Sequence, residues 1–299
     1  MKKNIPDSVV VPGHQDYRLL TAIADEITKR AGGPVTLAVN FSAMLRECID
    51  DVIMTPKTGR RSYDELEKTE KTYIGTRVEI ELRAMLRLPK GKLDTLILDQ
   101  DVDIKNTMGN NWMIPNEAFG HPCILIAADE ERAKCYLGLF VARPEYLTSG
   151  QNRDAKKSVS AAGFANILWL LQDCPYPPNF WRTVKPGIVD IIFSETSGNR
   201  RMAALFREIQ REPITRDVVE AVAQQQDFMR RIRADNGNGT RDILAREGIL
   251  LLSGHYDAPL IAALNLPNCS GSEFVSYRPA SKAEADLAER HGIKLDWHP

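Results

Sequence analysis

The chain has 299 residues, of which 43% are apolar and 26% charged, with a formal net charge of −1. That composition suits a globular protein of one or two domains and excludes a disordered, fibrous or globally basic chain. No apolar run reaches the roughly 20 residues of a bilayer span, and Met1-Lys2-Lys3-Asn4-Ile5-Pro6 lacks the apolar stretch of a signal peptide, so a cytoplasmic protein with no membrane partner is expected.

In chain order, residues 15–31 predict a helix with Leu19, Leu20, Ile23 and Ile27 on one face, stopped by Gly32-Gly33-Pro34. A second helix is expected from about Phe41 to Val52, followed by a turn at Thr55-Pro56-Lys57-Thr58-Gly59. Residues 63–88 are helical again: Ile74, Val78, Leu82 and Met85 form a core stripe, with Glu79 beside it at the edge of a cleft. Pro89-Lys90-Gly91 breaks that helix, and Leu96-Ile97-Leu98 and Val102-Asp103-Ile104-Lys105 read as short strands. The apolar runs at 123–128 and 136–141 predict buried strands, and 161–171 another helix. The fold class expected here is α/β (α+β), a central mixed sheet flanked by helices.

Pro175, Pro177, Pro178 and Pro186 then cluster with Tyr176, Phe180 and Trp181, which marks a boundary between domains at 1–174 and 182–299. The second half predicts a loop at 197–201, a helix over 202–210, and a short Thr215-capped helix holding Val218, Val219 and Val222. A turn at Gln224–Gln226 precedes an Asp227-capped helix over 228–234. In it Phe228 and Ile232 face inward, while Arg230, Arg231 and Arg233 fan outward as candidate DNA contacts. Gly237 and Gly239 end it, and a strand follows at 248–252; this order predicts a winged helix-turn-helix. From Arg200 to Arg246 there are ten arginines, no lysine and seven acidic residues. Arginine forks phosphate and guanine bidentately, but on charge alone the segment is equally a solvated helical face.

The chemistry-bearing pattern is Asp94 with Asp103-Ile104-Lys105, and Glu79 upstream. On a strand, Asp103 and Lys105 share one face while Val102 and Ile104 take the other. Hard cations such as Mg²⁺ take oxygen ligands, which these carboxylates supply, and a neighbouring lysine can hold water or a phosphoryl oxygen. By spacing alone the pattern reads rather as a solvated surface pair, since D-x-K occurs by chance in many proteins. Asp101 is expected to be solvated at the strand entry, Trp112 to fill core, His121 to be structural, and His255-Tyr256-Asp257 to form a turn. The cysteines at 48, 123, 135, 174 and 269 form no C-x-x-C pair, which points to reduced thiols rather than a zinc site or disulfides. No P-loop, G-x-S-x-G or dinucleotide fingerprint is present, so no nucleotide cofactor is expected.

The segments Lys68-Thr69-Glu70-Lys71-Thr72-Tyr73-Ile74-Gly75-Thr76-Arg77-Val78-Glu79-Ile80, Val102-Asp103-Ile104-Lys105, Trp112-Met113-Ile114-Pro115, Gly120-His121 and Asn152-Arg153-Asp154 resemble the nuclease domain of the NaeI family of type II restriction endonucleases. So, for that family's DNA-binding domain, do residues 222–233, Arg246-Glu247-Gly248-Ile249 and Leu264-Asn265-Leu266-Pro267, and the likeness runs in the same order over about residues 40–270. The resemblance implies a restriction-endonuclease core in which Glu79, Asp94, Asp103 and Lys105 are catalytic. Asp94 and Asp103 would be the main Mg²⁺ ligands, Glu79 an accessory one, and Lys105 the residue that orients or activates water. It also implies a catabolite-activator type of helix-turn-helix, double-stranded DNA as partner, a homodimer, and a second copy of the site acting as effector. Ile104 stands where the family has cysteine, and the loop 106–111 differs, so Asn110 and Asn111 are expected to reach base edges of an altered site. A related nickase, a modification-dependent nuclease, or a DNA-binding regulator with an inert nuclease domain are the alternative readings.

Overall fold

The computed structural model describes residues 5–224, 227–233 and 237–297; the expected turn residues Gln225 and Gln226 and the expected helix end Ala234 lie outside them. In chain order the elements are α1 (Tyr17–Arg30), α2 (Pro34–Ile53), α3 (Thr55–Thr58), α4 (Lys68–Met85), β1 (Thr95–Ile97), β2 (Gln100–Thr107), β3 (Met113–Ile114), β4 (Pro122–Asp129), β5 (Lys134–Val141), β6 (Lys157–Ser158), α5 (Ala161–Ala165) and β7 (Leu168–Pro175). There follow α6 (Phe180–Thr183), α7 (Pro186–Ser194), α8 (Gly198–Glu208), β8 (Ile214–Thr215), α9 (Arg216–Ala223), α10 (Phe228–Arg231), α11 (Thr240–Arg246), β9 (Leu250–Ser253), α12 (Ala258–Ala263), β10 (Glu273–Tyr277) and α13 (Lys282–Arg290). They fall into two compact units, one of residues 1–53 and 62–179, the other of residues 54–61 and 180–299.

The first unit is built on a five-stranded mixed sheet in the order β1-β2-β4-β5-β7, in which β2 and β4 run parallel and the other neighbours antiparallel. β4 is buried along its whole length and is apolar from Pro122 to Ala128, as a strand covered on both faces must be, before it ends at Asp129. One face carries Val102, Ile104, Ile124 and Ile126 against Leu20, Ile23, Phe41, Leu45, Ile74, Val78 and Leu82 of α1, α2 and α4. The other carries Cys123, Leu125, Ala127, Tyr136 and Phe140 against Trp112, Ile114, Leu147 and Val159. α4 opens with a reciprocal cap between Glu67 and Glu70, and its stripe residues Ile74, Val78 and Leu82 are fully buried.

Two sequence expectations change here. α2 starts at Pro34, earlier than Phe41, because proline has its φ set for a first helical turn and lacks only an N–H that would be unpaired there. The helix expected over 161–171 is only one turn, α5; Leu168 to Pro175 instead form β7. β5 has an edge to cover, and Leu168, Trp169 and Leu171 pair with Leu139, Gly138 and Leu137 of that strand. A helix there would leave those backbone groups of β5 without partners. Gly138 allows the close fit, since a Cβ on it would lie 2.5 Å from Ile167 and 2.9 Å from Trp169.

The second unit packs α7, α8, α9 and α11 around Ile192, Met202, Leu205, Phe206, Val219, Val222 and Leu244. Its antiparallel sheet runs β8-β10-β9. Phe228 and Ile232 are buried as their i, i+4 spacing predicts, but α10 is a single turn ending at Arg231. No helix among the described residues is long and apolar enough to cross a membrane.

Candidate active site

β2 brings Asp103 and Lys105 to one face of the sheet, the face of Cys123 and Leu125, their partners on β4. Asp103 is 3% exposed, which is rare for a carboxylate without a full set of partners. Lys105 Nζ donates to Asp103 Oδ1 at 2.7 Å and to the Ile104 carbonyl at 3.1 Å. It also lies 3.5 Å from Asp94 Oδ2. Asp94 enters from the turn before β1, and its Oδ2 accepts the Ile104 backbone N–H at 2.7 Å. The carboxylates of Asp94 and Asp103 and the ammonium of Lys105 thus meet along residues 103–105 of β2.

The turn that delivers Asp94 is built by Asp101, which is not merely solvated as its sequence position suggests. Asp101 Oδ1 accepts the N–H groups of Lys92 at 2.6 Å and Leu93 at 3.3 Å. Glycine is required at 91, because a Cβ there would stand 2.5 Å from that same oxygen and 2.7 Å from the Thr95 carbonyl. Sequence reasoning passed over this pair; its only signal was a glycine at the helix break and a third aspartate in register with β1.

The electrostatics follow from burial. Loss of hydration pushes the Asp103 carboxyl up to about 7; the Lys105 hydrogen bond and charge pull it down, and neighbouring Asp94 pushes it further up. Burial pulls Lys105 down, but its bond to Asp103 and the charges of Asp103 and Asp94 outweigh this, so its ammonium is held above the ordinary lysine range. Burial and then the Asp94 charge raise Glu79. Burial raises the Cys123 thiol, and the Asp103 charge adds to it, so this cysteine is an inert neighbour.

Glu79 does not join the cluster directly: its closest cation is Arg83, 3.6 Å away one turn along α4. Among the described residues no group of three or more His, Cys, Asp or Glu side chains is spaced to hold an ion, so the expected set of three carboxylates is not assembled. The two aspartates nevertheless fit a cation. Asp103 Oδ2 is buried without a hydrogen-bond partner, and a buried acceptor in that state calls for one. Oxygen donors are what a hard divalent cation takes.

The expected DNA contacts separate. Asn110 is exposed. Asn111 is instead a scaffold: its Oδ1 accepts from Trp112 N at 2.8 Å and Val159 N at 3.1 Å, and its Nδ2 donates to the Val159 carbonyl at 2.9 Å. An amide held this way cannot also read a base edge without dismantling the loop. Trp112 is core, with its indole N–H on the Ile126 carbonyl at 2.7 Å. In the second unit Arg230 and Arg233 are exposed, while Arg231 pairs with Asp227 at 3.2 Å. Asp257 holds the 253–257 turn through Ser253 N at 2.8 Å and pairs with Arg241 at 2.6 Å, which leaves no catalytic arrangement at His255-Tyr256-Asp257.

The family described as restriction endonuclease NaeI matches residues 37–293. The chain is also similar to the type II restriction enzyme NaeI of Lentzea aerocolonigenes, with 34% identity over 263 residues that span 85% of this chain and 82% of that enzyme.

Proposed function

This chain belongs to the NaeI family of restriction endonucleases, and from that premise we propose a type II enzyme that hydrolyses both strands of DNA at a specific sequence, with Asp94, Asp103 and Lys105 at its centre. The carrying observation is the orphaned, buried Asp103 Oδ2 beside Asp94 and a lysine held protonated. An inert regulator has no use for a buried carboxylate left without a partner, because such a group destabilises the fold.

In this reading Asp94 and Asp103 would hold Mg²⁺, with Glu79 as an accessory ligand, direct or through water. When bound, the cation supplies positive charge against the phosphate and eases deprotonation of water. Hydrolysis forms a P–O bond from water and breaks a P–O ester bond, so charge builds on the phosphoryl oxygens. The Lys105 ammonium is placed to hydrogen-bond that charge and to orient the attacking water, and it keeps its proton while doing so. Asp101 and Gly91 fix the turn that presents Asp94, and positioning of this kind carries much of the rate. Asn110 is the loop residue proposed to meet DNA, with Asn111 as its support.

The second unit is proposed to be a winged helix-turn-helix that binds DNA, supported by the order α8, β8, α9, α10, α11, β9, α12, β10 and by exposed Arg230 and Arg233. A cytoplasmic homodimer, and a second DNA copy acting as effector, complete the proposal. The test is digestion of unmethylated plasmid with Mg²⁺ or EDTA, beside Asp103→Ala. Discrete Mg²⁺-dependent linear products that vanish in the variant, with DNA binding retained, are expected. Nicks alone would replace the reading with a nickase, and metal-independent or undiminished cutting by the variant would refute the assigned centre.

A further inference from the structure

Past Lys105, β2 runs into a loop that is tied to a second segment, the hairpin between Leu147 and Val159. Asn111 clamps that hairpin's base by exchanging hydrogen bonds with both backbone groups of Val159 at 3.1 and 2.9 Å. β3 and β6 then pair Met113 with Ser158 and Ile114 with Lys157, and Leu147 bridges Val159. Trp112 anchors the same loop on Ile126, the residue after Leu125, which is Lys105's partner on β4. Leu147, Val159 and Trp112 all pack on the Cys123 and Leu125 face, the face of Asp103 and Lys105. A short, hydrogen-bonded and packed path therefore leads from the reacting strand to the hairpin.

The hairpin is ordered from within. Asn152 Oδ1 accepts the N–H groups of Asp154 and Lys156, both at 2.9 Å, and Asn152 N donates to the Lys156 carbonyl at 2.9 Å. Thr148 Oγ1 donates to the Gly150 carbonyl at 3.0 Å and accepts from Ser158 N at 3.2 Å. With the backbone so arranged, Gln151 and Arg153 are exposed, and neither side chain makes a hydrogen bond or ion pair among the described residues. Residues 148–158 also carry Arg153, Lys156 and Lys157 against Asp154 alone, a local positive excess in a chain of net charge −1.

We propose that this hairpin is a sequence-reading element of the cleavage unit, with Arg153 contacting a base edge of the guanine type in the DNA being cut. The inference rests on the endonuclease reading above. Arginine matches the paired acceptors of guanine, and a reader on a pre-formed loop loses little freedom on binding. The clamp at Asn111 sets its register to the cleavage strand.

The experiment compares wild type, Arg153→Ala, Arg153→Lys and Asn111→Ala on a randomised DNA library. Cut ends are sequenced, and bound DNA is selected in parallel by the same chains carrying Asp103→Ala. Arg153→Ala should lower cleavage at the wild-type site about 5- to 150-fold and relax selection at one base pair. Arg153→Lys should restore affinity but not selection there, because a point charge cannot fork two acceptors. Asn111→Ala should loosen selection at the same position. Unchanged selection by Arg153→Ala overturns the proposal, whether the rate is kept or all sequences weaken alike with a shallower salt slope, the mark of a phosphate contact. In those cases a cutting wild type leaves the endonuclease reading standing. A wild type that selects DNA without cutting fails that reading while the binding arm still tests the hairpin, and one that does neither ends both.

Discussion

At Asp103, burial and chemistry pull against each other. The carboxyl is pushed up to about 7, chiefly by loss of hydration, whereas an unfolded aspartate titrates near about 3.9. A group raised in the folded state contributes stability that is fully present below its unfolded value and is lost as pH rises through its folded value. The metal-free protein should therefore lose stability through this group between about pH 4 and about pH 8. In EDTA, the fall in Tm from about pH 5.5 to about pH 8 should be smaller for Asp103→Asn than for wild type; parallel slopes would show that Asp103 is not the strained group. Asp103 and Lys105 were legible in the chain as neighbours on one strand face, but their spacing alone reads as a solvated surface pair, and it was the family resemblance that singled them out with Asp94. Asp101's hold on the Lys92–Leu93 turn and the engagement of Asn111 by Val159 were not, since both depend on backbone groups that come near only after folding.

Elements set what the side chains can do. α10 is one turn long and ends at Arg231, so Arg230 stands on a stub and Arg233 lies past its end, rather than both on a helix able to lie along a major groove. This geometry favours phosphate contact over base reading. Substituting both by alanine should weaken binding of all sequences alike and lower the slope of log affinity against log salt by about 2. A change of selected sequence with an unaltered slope would return base reading to these residues. The same scale explains why periodicity succeeded over 63–88 and failed over 161–171. Ile74, Val78 and Leu82 recur along one helical face and are fully buried. Leu168 to Leu171 form a short apolar run, which suits either state, and the open edge of β5 decided for strand.

For the whole molecule, charge argues against diffuse attraction to DNA: at net −1, any affinity must come from local clusters such as 148–158 and the arginines of the second unit. The two compact units are not two halves of the chain, since residues 54–61 group with residues 180–299. Within that unit α3 packs on α9. A fragment of residues 180–299 should fold less stably than the same fragment joined by a flexible linker to residues 54–61, with Tm lower by about 4 °C for each kcal/mol lost. Equal melting of the two would show that α3 adds nothing to the second unit.

By itself the chain determined the α/β class, the strand bearing Asp103 and Lys105, the core stripe of α4 and the family. Each of these is a local pattern or a linear match, readable without knowing what lies alongside. Only the tertiary structure decided that β7 replaces a helix, that residues 54–61 join the second unit, and that Glu79 stays with Arg83. It alone decided that Asn111 serves as a clamp and that Arg153 is left outward on an ordered hairpin. For β7, the 54–61 segment, Asn111 and Arg153 the physical reason is common: which hydrogen-bonding and charged groups find partners depends on neighbours distant in the chain, and no periodicity encodes them, whereas the Glu79–Arg83 pair is a local i, i+4 contact of α4.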